Sequence, residues 1–214
     1  MGFSSAVLQS GAVGLYERYL AARLRYSDAD LPDCIAVVLT ERDLLEAGAY
    51  DTLEAVAGWA FECGADLLLV YGSVLDEDAI PTLRRELESV DAPRPVAVRD
   101  PEADDRADAP IQVSIGLGGK HEFTTAVRNL ATAVEAGTLD PADIDEDTVE
   151  SELVFPTAPD LVLKTGAERL SDFMIWQSVY SELYFTDVNW QNFRQRDYLR
   201  ALRDYQERQR RFGR

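Results

Sequence analysis

Two uninterrupted apolar runs, Ile35–Leu39 and Leu67–Tyr71, constrain what this chain can fold into more than any other feature. Each is about one strand long, far short of the roughly 20 residues that cross a bilayer. Neither alternates, which is the pattern of a strand covered on both faces. Segments of helical period stand between the runs. Leu15–Leu24 (LYERYLAARL) predicts an amphipathic helix, Thr52–Cys63 a second that Gly64 stops, and Ala79–Val90 a third. Further strands are predicted over Pro93–Val98 and Ile111–Leu117. Gly118–Gly119 then turns into a helix over Glu122–Ala136, and Asp160–Leu163 gives another short strand. Strand and helix alternating at this spacing predict an α/β fold, a single domain with a central mostly parallel sheet flanked by helices.

That domain takes in residues 1–214, with a helical opening segment over 1–30 and a C-terminal helix and tail over 191–214. The length is enough for a sizeable core. In Asp197–Arg210, Tyr198, Leu199, Leu202 and Tyr205 share one face, so this helix is expected to pack on the body. Asp100–Asp108 and Asp140–Glu150 read as acidic, solvated connections. Met1–Gly14 lacks a basic leader pattern, so a soluble cytoplasmic protein is expected.

Charge narrows the functions. The chain has 39 acids against 21 bases, a net of −18, and its only lysines are Lys120 and Lys164. An acidic surface of this kind suits high salt, where repulsion is screened, and a halophilic source is expected. The bulk surface repels phosphate backbones, which argues against nucleic-acid binding. Cys34 and Cys63 each sit in an apolar segment, and the sole histidine is His121. Two buried thiols are expected rather than a zinc site. His121 is expected at the surface or in a cap.

Lys164–Glu168 (KTGAE) forms a turn at a strand's C-terminal end, the edge of an open α/β sheet where ligands bind. The stretch it opens, Asp160–Trp190 (DLVLKTGAERLSDFMIWQSVYSELYFTDVNW), resembles the C-terminal signature of the cis-prenyltransferases. These enzymes extend an allylic diphosphate with isopentenyl diphosphate. The likeness continues through Asp197–Gly213. It runs more weakly backward through Leu117–Lys120 (LGGK) and GTLDPADIDEDTVES to the opening helix and LPDCIAVVL.

Several roles follow from that resemblance. Lys164, Arg169 and Ser171 fall where the family binds diphosphate, with Lys164 in place of an arginine and Ala167 in place of a glycine. Lysine supplies a point charge but not a bidentate fork. Glu182 in YSELYF matches the acid that helps hold Mg²⁺. Arg211 and Gly213 match an RxG tail that reaches into a partner's site. Read alone, Glu182 suits a hydrogen-bonding or interface acid better than a metal ligand, Arg169 suits a nearby carboxylate as well as a phosphate, and the tail also complements a helix dipole. Trp176, Tyr180, Tyr184, Phe185 and Trp190 are expected in the core or at a dimer face.

The front half departs from the pattern. A DGNGRWA-like loop is expected after the first strand, yet the chain reads Thr40, Glu41, Arg42, Asp43, with Thr40 at the aspartate position. No glycine remains there to bring backbone amides to a phosphate. A second loop, FSxEN in the family, is Ser73–Glu77 here. The resemblance therefore implies a pseudoenzyme-like subunit of a polyprenyl diphosphate synthase. Its partner would be a catalytic paralogue, its ligands isoprenyl diphosphates, its ion Mg²⁺ in the assembled complex, and its membrane contact peripheral, through the product. A divergent self-sufficient homodimer and a non-enzymatic prenyl-lipid binder stand as alternatives.

Overall fold

β1 (Cys34–Thr40) and β2 (Leu67–Ser73) are the two apolar runs, and they pair in parallel from Cys34 against Leu67 to Thr40 against Ser73. The computed structural model of the chain describes residues 14–27, 29–101, 109–155, 157–166 and 173–212, with backbone alone for 209–212. β3 (Val96–Arg99), β4 (Ile111–Ile115), β5 (Leu161–Thr165) and β6 (Glu182–Thr186) complete a six-stranded sheet ordered β3-β4-β2-β1-β5-β6. Every pairing is parallel. The fold class expected from the sequence is the one observed.

Alternation along β1 explains why its run is unbroken. Ile35, Val37 and Leu39 enter the larger core with Leu68, Val70 and Leu163, while Cys34, Ala36 and Val38 enter a smaller one with Tyr71, Phe155 and Phe173. Both faces are covered, so neither set can be polar. Cys34 and Cys63 lie in different cores, and burial pushes each thiol up to about 12.

The helices are α1 (Leu15–Arg25), α2 (Glu41–Leu45), α3 (Ala49–Glu62), α4 (Ile80–Glu88), α5 (Gly119–Glu135), α6 (Glu146–Ser151) and α7 (Gln195–Phe212). Gly64, at φ +102°, stops α3 in the left-handed conformation that glycine adopts without a Cβ penalty. α7 buries Tyr198, Leu199, Leu202 and Tyr205 as its periodicity requires. The Trp190 indole donates to the Ala49 carbonyl at 2.8 Å, fixing the approach to α7 against the start of α3.

Three local readings need correction. Asp140–Glu150 is not merely a connection: Asp145 accepts from the Thr148 amide at 2.9 Å and starts α6. Five residues at the start of the supposed loop after β1 form α2. The aromatic segment contains an edge strand, β6, and its residues divide: Trp190, just past the strand, is in the core, whereas Tyr180 and Phe185 are exposed. Trp176 stacks on Phe123 at 5.7 Å between ring centroids. His121 is exposed in the first turn of α5. Among the described residues no helix is long and apolar enough to cross a membrane.

Candidate functional site

The strand order reverses between β1 and β5: the chain leaves β1 toward β2 on one side and returns at β5 on the other. The crevice at their C-terminal ends is where an open α/β sheet receives ligands. Thr40 ends β1 and Lys164–Gly166 ends β5, so the fold brings these two parts of the sequence reading to one edge.

At the β1 side the chain closes on itself. Thr40 caps α2 in a reciprocal box: its amide and hydroxyl donate to Asp43 Oδ2 at 2.9 and 2.8 Å, and the Asp43 amide donates back to Thr40 Oγ1 at 3.2 Å. Glu41 reaches the neighbouring loop, its Oε2 accepting from the Leu75 and Asp76 amides at 2.7 and 3.0 Å. Those amides, Asp76 first, hold the Glu41 carboxyl below the usual carboxylate range. Both acids that could stand in for an aspartate at this edge are therefore committed to backbone or capping partners. The two amides after β2, which could otherwise face an anion, are occupied by Glu41.

On the β5 side, Lys164 is buried opposite Val38, and its ammonium donates to the Thr165 carbonyl at 2.8 Å. Gly166 follows at φ +76°, a turn glycine makes freely, and its amide donates to the Val188 carbonyl at 3.1 Å. Arg169 and Ser171 lie just beyond, outside the described residues.

Glu182 is not brought to this edge. It opens β6 opposite Leu161, which pairs in turn with Ile35, five residues before Thr40. That offset is about 16 Å along the sheet at ~3.3 Å per residue. Glu182 instead pairs with Arg208 at 3.2 Å, and Arg208 also donates to the Leu183 carbonyl at 2.9 Å. The end of α7 therefore lies beside the start of the edge strand. Arg211 is in the last turn of α7, described in backbone only, and Gly213 lies outside the described residues.

Glu122 escaped the sequence reading. Its carboxylate is buried and accepts from the Val154 amide at 2.8 Å, the Phe155 amide at 3.3 Å and Gln177 Nε2 at 3.1 Å. Burial pushes its pKa up against those bonds and against Arg99, which pull it down. It borders a cavity of about 110 Å³ with Arg99, Asp100, Leu117, His121 and Val154. An acid two residues after LGGK is the only hint the sequence offers.

Mg²⁺ takes several oxygen donors in near-octahedral order. Among the described residues no three His, Cys, Asp or Glu side chains are grouped to hold a metal ion. Glu182 is remote from Thr40, and Glu41 and Asp43 are engaged, so the described residues of one chain do not fit the ion.

The family model described as putative undecaprenyl diphosphate synthase matches residues 95–213. The chain is 49% identical over 109 residues to the geranylgeranyl-diphosphate-specific tritrans,polycis-undecaprenyl-diphosphate synthase of Methanocaldococcus jannaschii, covering 48% of this chain and 39% of that protein. It is 44% identical over 111 residues to an isoprenyl transferase of Thermus thermophilus, covering 49% and 42%. The match thus spans about two fifths of these relatives' length. Lavandulyl diphosphate synthase from Lavandula x intermedia superposes with a TM-score of 0.67 at 22% identity, over 82% of this chain and 95% of that one. A probable undecaprenyl diphosphate synthase from Campylobacter jejuni gives 0.63 at 20%, over 86% and 100%. With the family model matched over more than half its length, the chain belongs to the undecaprenyl diphosphate synthase family, the cis-prenyltransferases.

Proposed function

We propose that the chain is a non-catalytic subunit of a cis-polyprenyl diphosphate synthase that completes the active site of a catalytic partner. The supporting observation is the closed edge after β1, where the Thr40–Asp43 box and the Glu41 clasp stand in place of an open phosphate loop. Elongation breaks the bond between C1 of the allylic chain and its diphosphate oxygen. It then forms a bond from C1 to C4 of isopentenyl diphosphate, and a proton leaves C2. Departing pyrophosphate needs dense positive charge and oriented donors. A threonine whose hydroxyl and amide are tied to Asp43 offers no anchor for a metal ion.

The groups that point away from this chain's own crevice suit work in another's. Glu182, Arg208 and the end of α7 cluster at the open edge strand. In this reading the partner supplies the aspartate loop and Mg²⁺, and this chain supplies the tail carrying Arg211 and Gly213. Lys164, Arg169 and Ser171 would hold a diphosphate at its own crevice or remain as a residue of ancestry.

A second reading is a self-sufficient homodimer, favoured by the same outward cluster and by relatives named as an undecaprenyl-diphosphate synthase and an isoprenyl transferase. Purified chain, assayed for prenyl elongation alone and with a paralogue bearing an intact aspartate loop, separates the two. Activity confined to the pair, and lowered by Arg211→Ala in this chain, supports the subunit. Elongation by this chain alone sinks it. Prenyl-diphosphate binding with no turnover in either mixture would instead indicate a lipid-binding module.

A further inference from the structure

One layer of the protein carries charge opposite to the rest. α1 and α7 together hold nine arginines against four carboxylates, in a chain whose net charge is −18. The two helices pack against each other. Arg200 lies over the Tyr16 ring, 5.1 Å from its centroid, and its Nε donates to the Tyr16 hydroxyl at 3.3 Å. Gln206 donates to the Ala29 carbonyl at 2.7 Å, tying α7 to the chain just past α1.

α1 turns Leu20, Ala21 and Leu24 into the core. Its other side exposes Leu15 (87%), Tyr19 (50%) and Tyr26 (88%), the last at the helix cap. At ~100° per residue these three fall within roughly 40° of one another. Arg18 and Arg25 flank the stripe on one side, and Arg23 and Tyr16 on the other, all exposed. Beyond Tyr16 stand Arg200 and Arg203 of α7, each partly exposed. An apolar and aromatic stripe edged by arginines is the composition of a helix that lies in a membrane interface.

We propose that the α1–α7 face docks the protein on an anionic lipid surface. Leu15, Tyr19 and Tyr26 enter the headgroup boundary, and the arginines on either side meet lipid phosphates. At low ionic strength the acid excess of the remaining chain repels that surface and so favours this orientation; at high salt the repulsion is screened and the apolar stripe with its contacting arginines sets it. Charge alone would suit an acidic protein partner equally well; the exposed leucine and tyrosines between the arginines favour lipid. The inference does not rest on the catalytic question, because an enzyme and an accessory subunit would dock alike.

The test is sedimentation of the full chain with vesicles of phosphatidylcholine alone and of phosphatidylcholine with an equal part of phosphatidylglycerol. Binding is expected to the anionic vesicles and not to the neutral ones. Combined Arg18→Gln, Arg23→Gln and Arg25→Gln should weaken it on the order of a hundredfold, at about 1 kcal/mol per arginine near the surface. Combined Tyr19→Ser and Tyr26→Ser, with charge unchanged, should also weaken it, on the order of tenfold. All five positions are exposed, so circular dichroism should show an unchanged fold. Wild-type protein left in the supernatant with anionic vesicles would overturn the proposal, as would undiminished binding by the arginine variant. So would salt-reversible self-association in sedimentation velocity that the arginine variant loses, since the face would then serve a second copy.

Discussion

The Thr40 hydroxyl donates to the Asp43 carboxylate at 2.8 Å, and the Asp43 amide returns a bond to the same hydroxyl at 3.2 Å. This exchange turns a strand end directly into a helix, at the place where the family resemblance calls for an open loop. Thr40→Ala should therefore cost about 1 kcal/mol of stability, the usual effect of losing a helix cap. Urea unfolding measures it. In the proposed pair, prenyl elongation should be unaffected, since the partner carries the chemistry.

Glu41 spans two loops 34 residues apart by accepting from the Leu75 and Asp76 amides. Glu41→Ala should speed hydrogen exchange at those two amides while leaving the β2 amides protected. Because the folded carboxyl titrates below its unfolded value, the clasp's contribution is present above the unfolded pKa and is lost as pH falls through the folded one. Exchange at Leu75 and Asp76, corrected for intrinsic rate, should thus loosen on acidification.

Glu122 runs the other way. Burial raises its folded pKa, so the folded state binds its proton more readily than the unfolded chain does. Stability should fall as pH rises from the unfolded value of about 4.3 through the folded one. Glu122→Gln removes this dependence. Relative to wild type, the variant should be more favourable at pH 7 than at pH 4, as read by denaturant midpoints across that range.

Cys34 and Cys63 are buried in separate cores with their thiols pushed up to about 12. Thiolate is the reactive form, so a disulfide reagent should label neither cysteine in the folded protein. Labelling should rise with the unfolding transition in denaturant. Labelling of the native protein at the rate of a free thiol would contradict the burial.

The sequence disclosed the sheet because a strand covered on both sides must be apolar throughout, and Ile35–Leu39 and Leu67–Tyr71 leave no other use. It disclosed α7 because Tyr198, Leu199, Leu202 and Tyr205 fall on one face. α6 stayed hidden because Asp145 is one acid among many in its stretch, and only the accepted Thr148 amide marks it as a cap. β6 was masked by its aromatics, which read as well for an interface as for a strand. In the site, Thr40 was legible as a substitution against a family pattern. Its bond to Asp43 and the reach of Glu41 to Leu75 depend on where β1 and β2 end side by side, which local spacing does not encode. Glu122 was illegible for a related reason: an acid at a helix start ordinarily faces water, and only the segment at Val154–Phe155 encloses it.

β6 terminates the sheet, and among the described residues no further strand joins its outer side. Arg208 of α7 takes up the Leu183 carbonyl at the start of this strand, and the peptide groups an edge strand leaves unpaired can accept another strand. Raising the chain's concentration should therefore favour edge-to-edge pairing of its copies at β6, a liability that a sheet closed into a barrel would not carry.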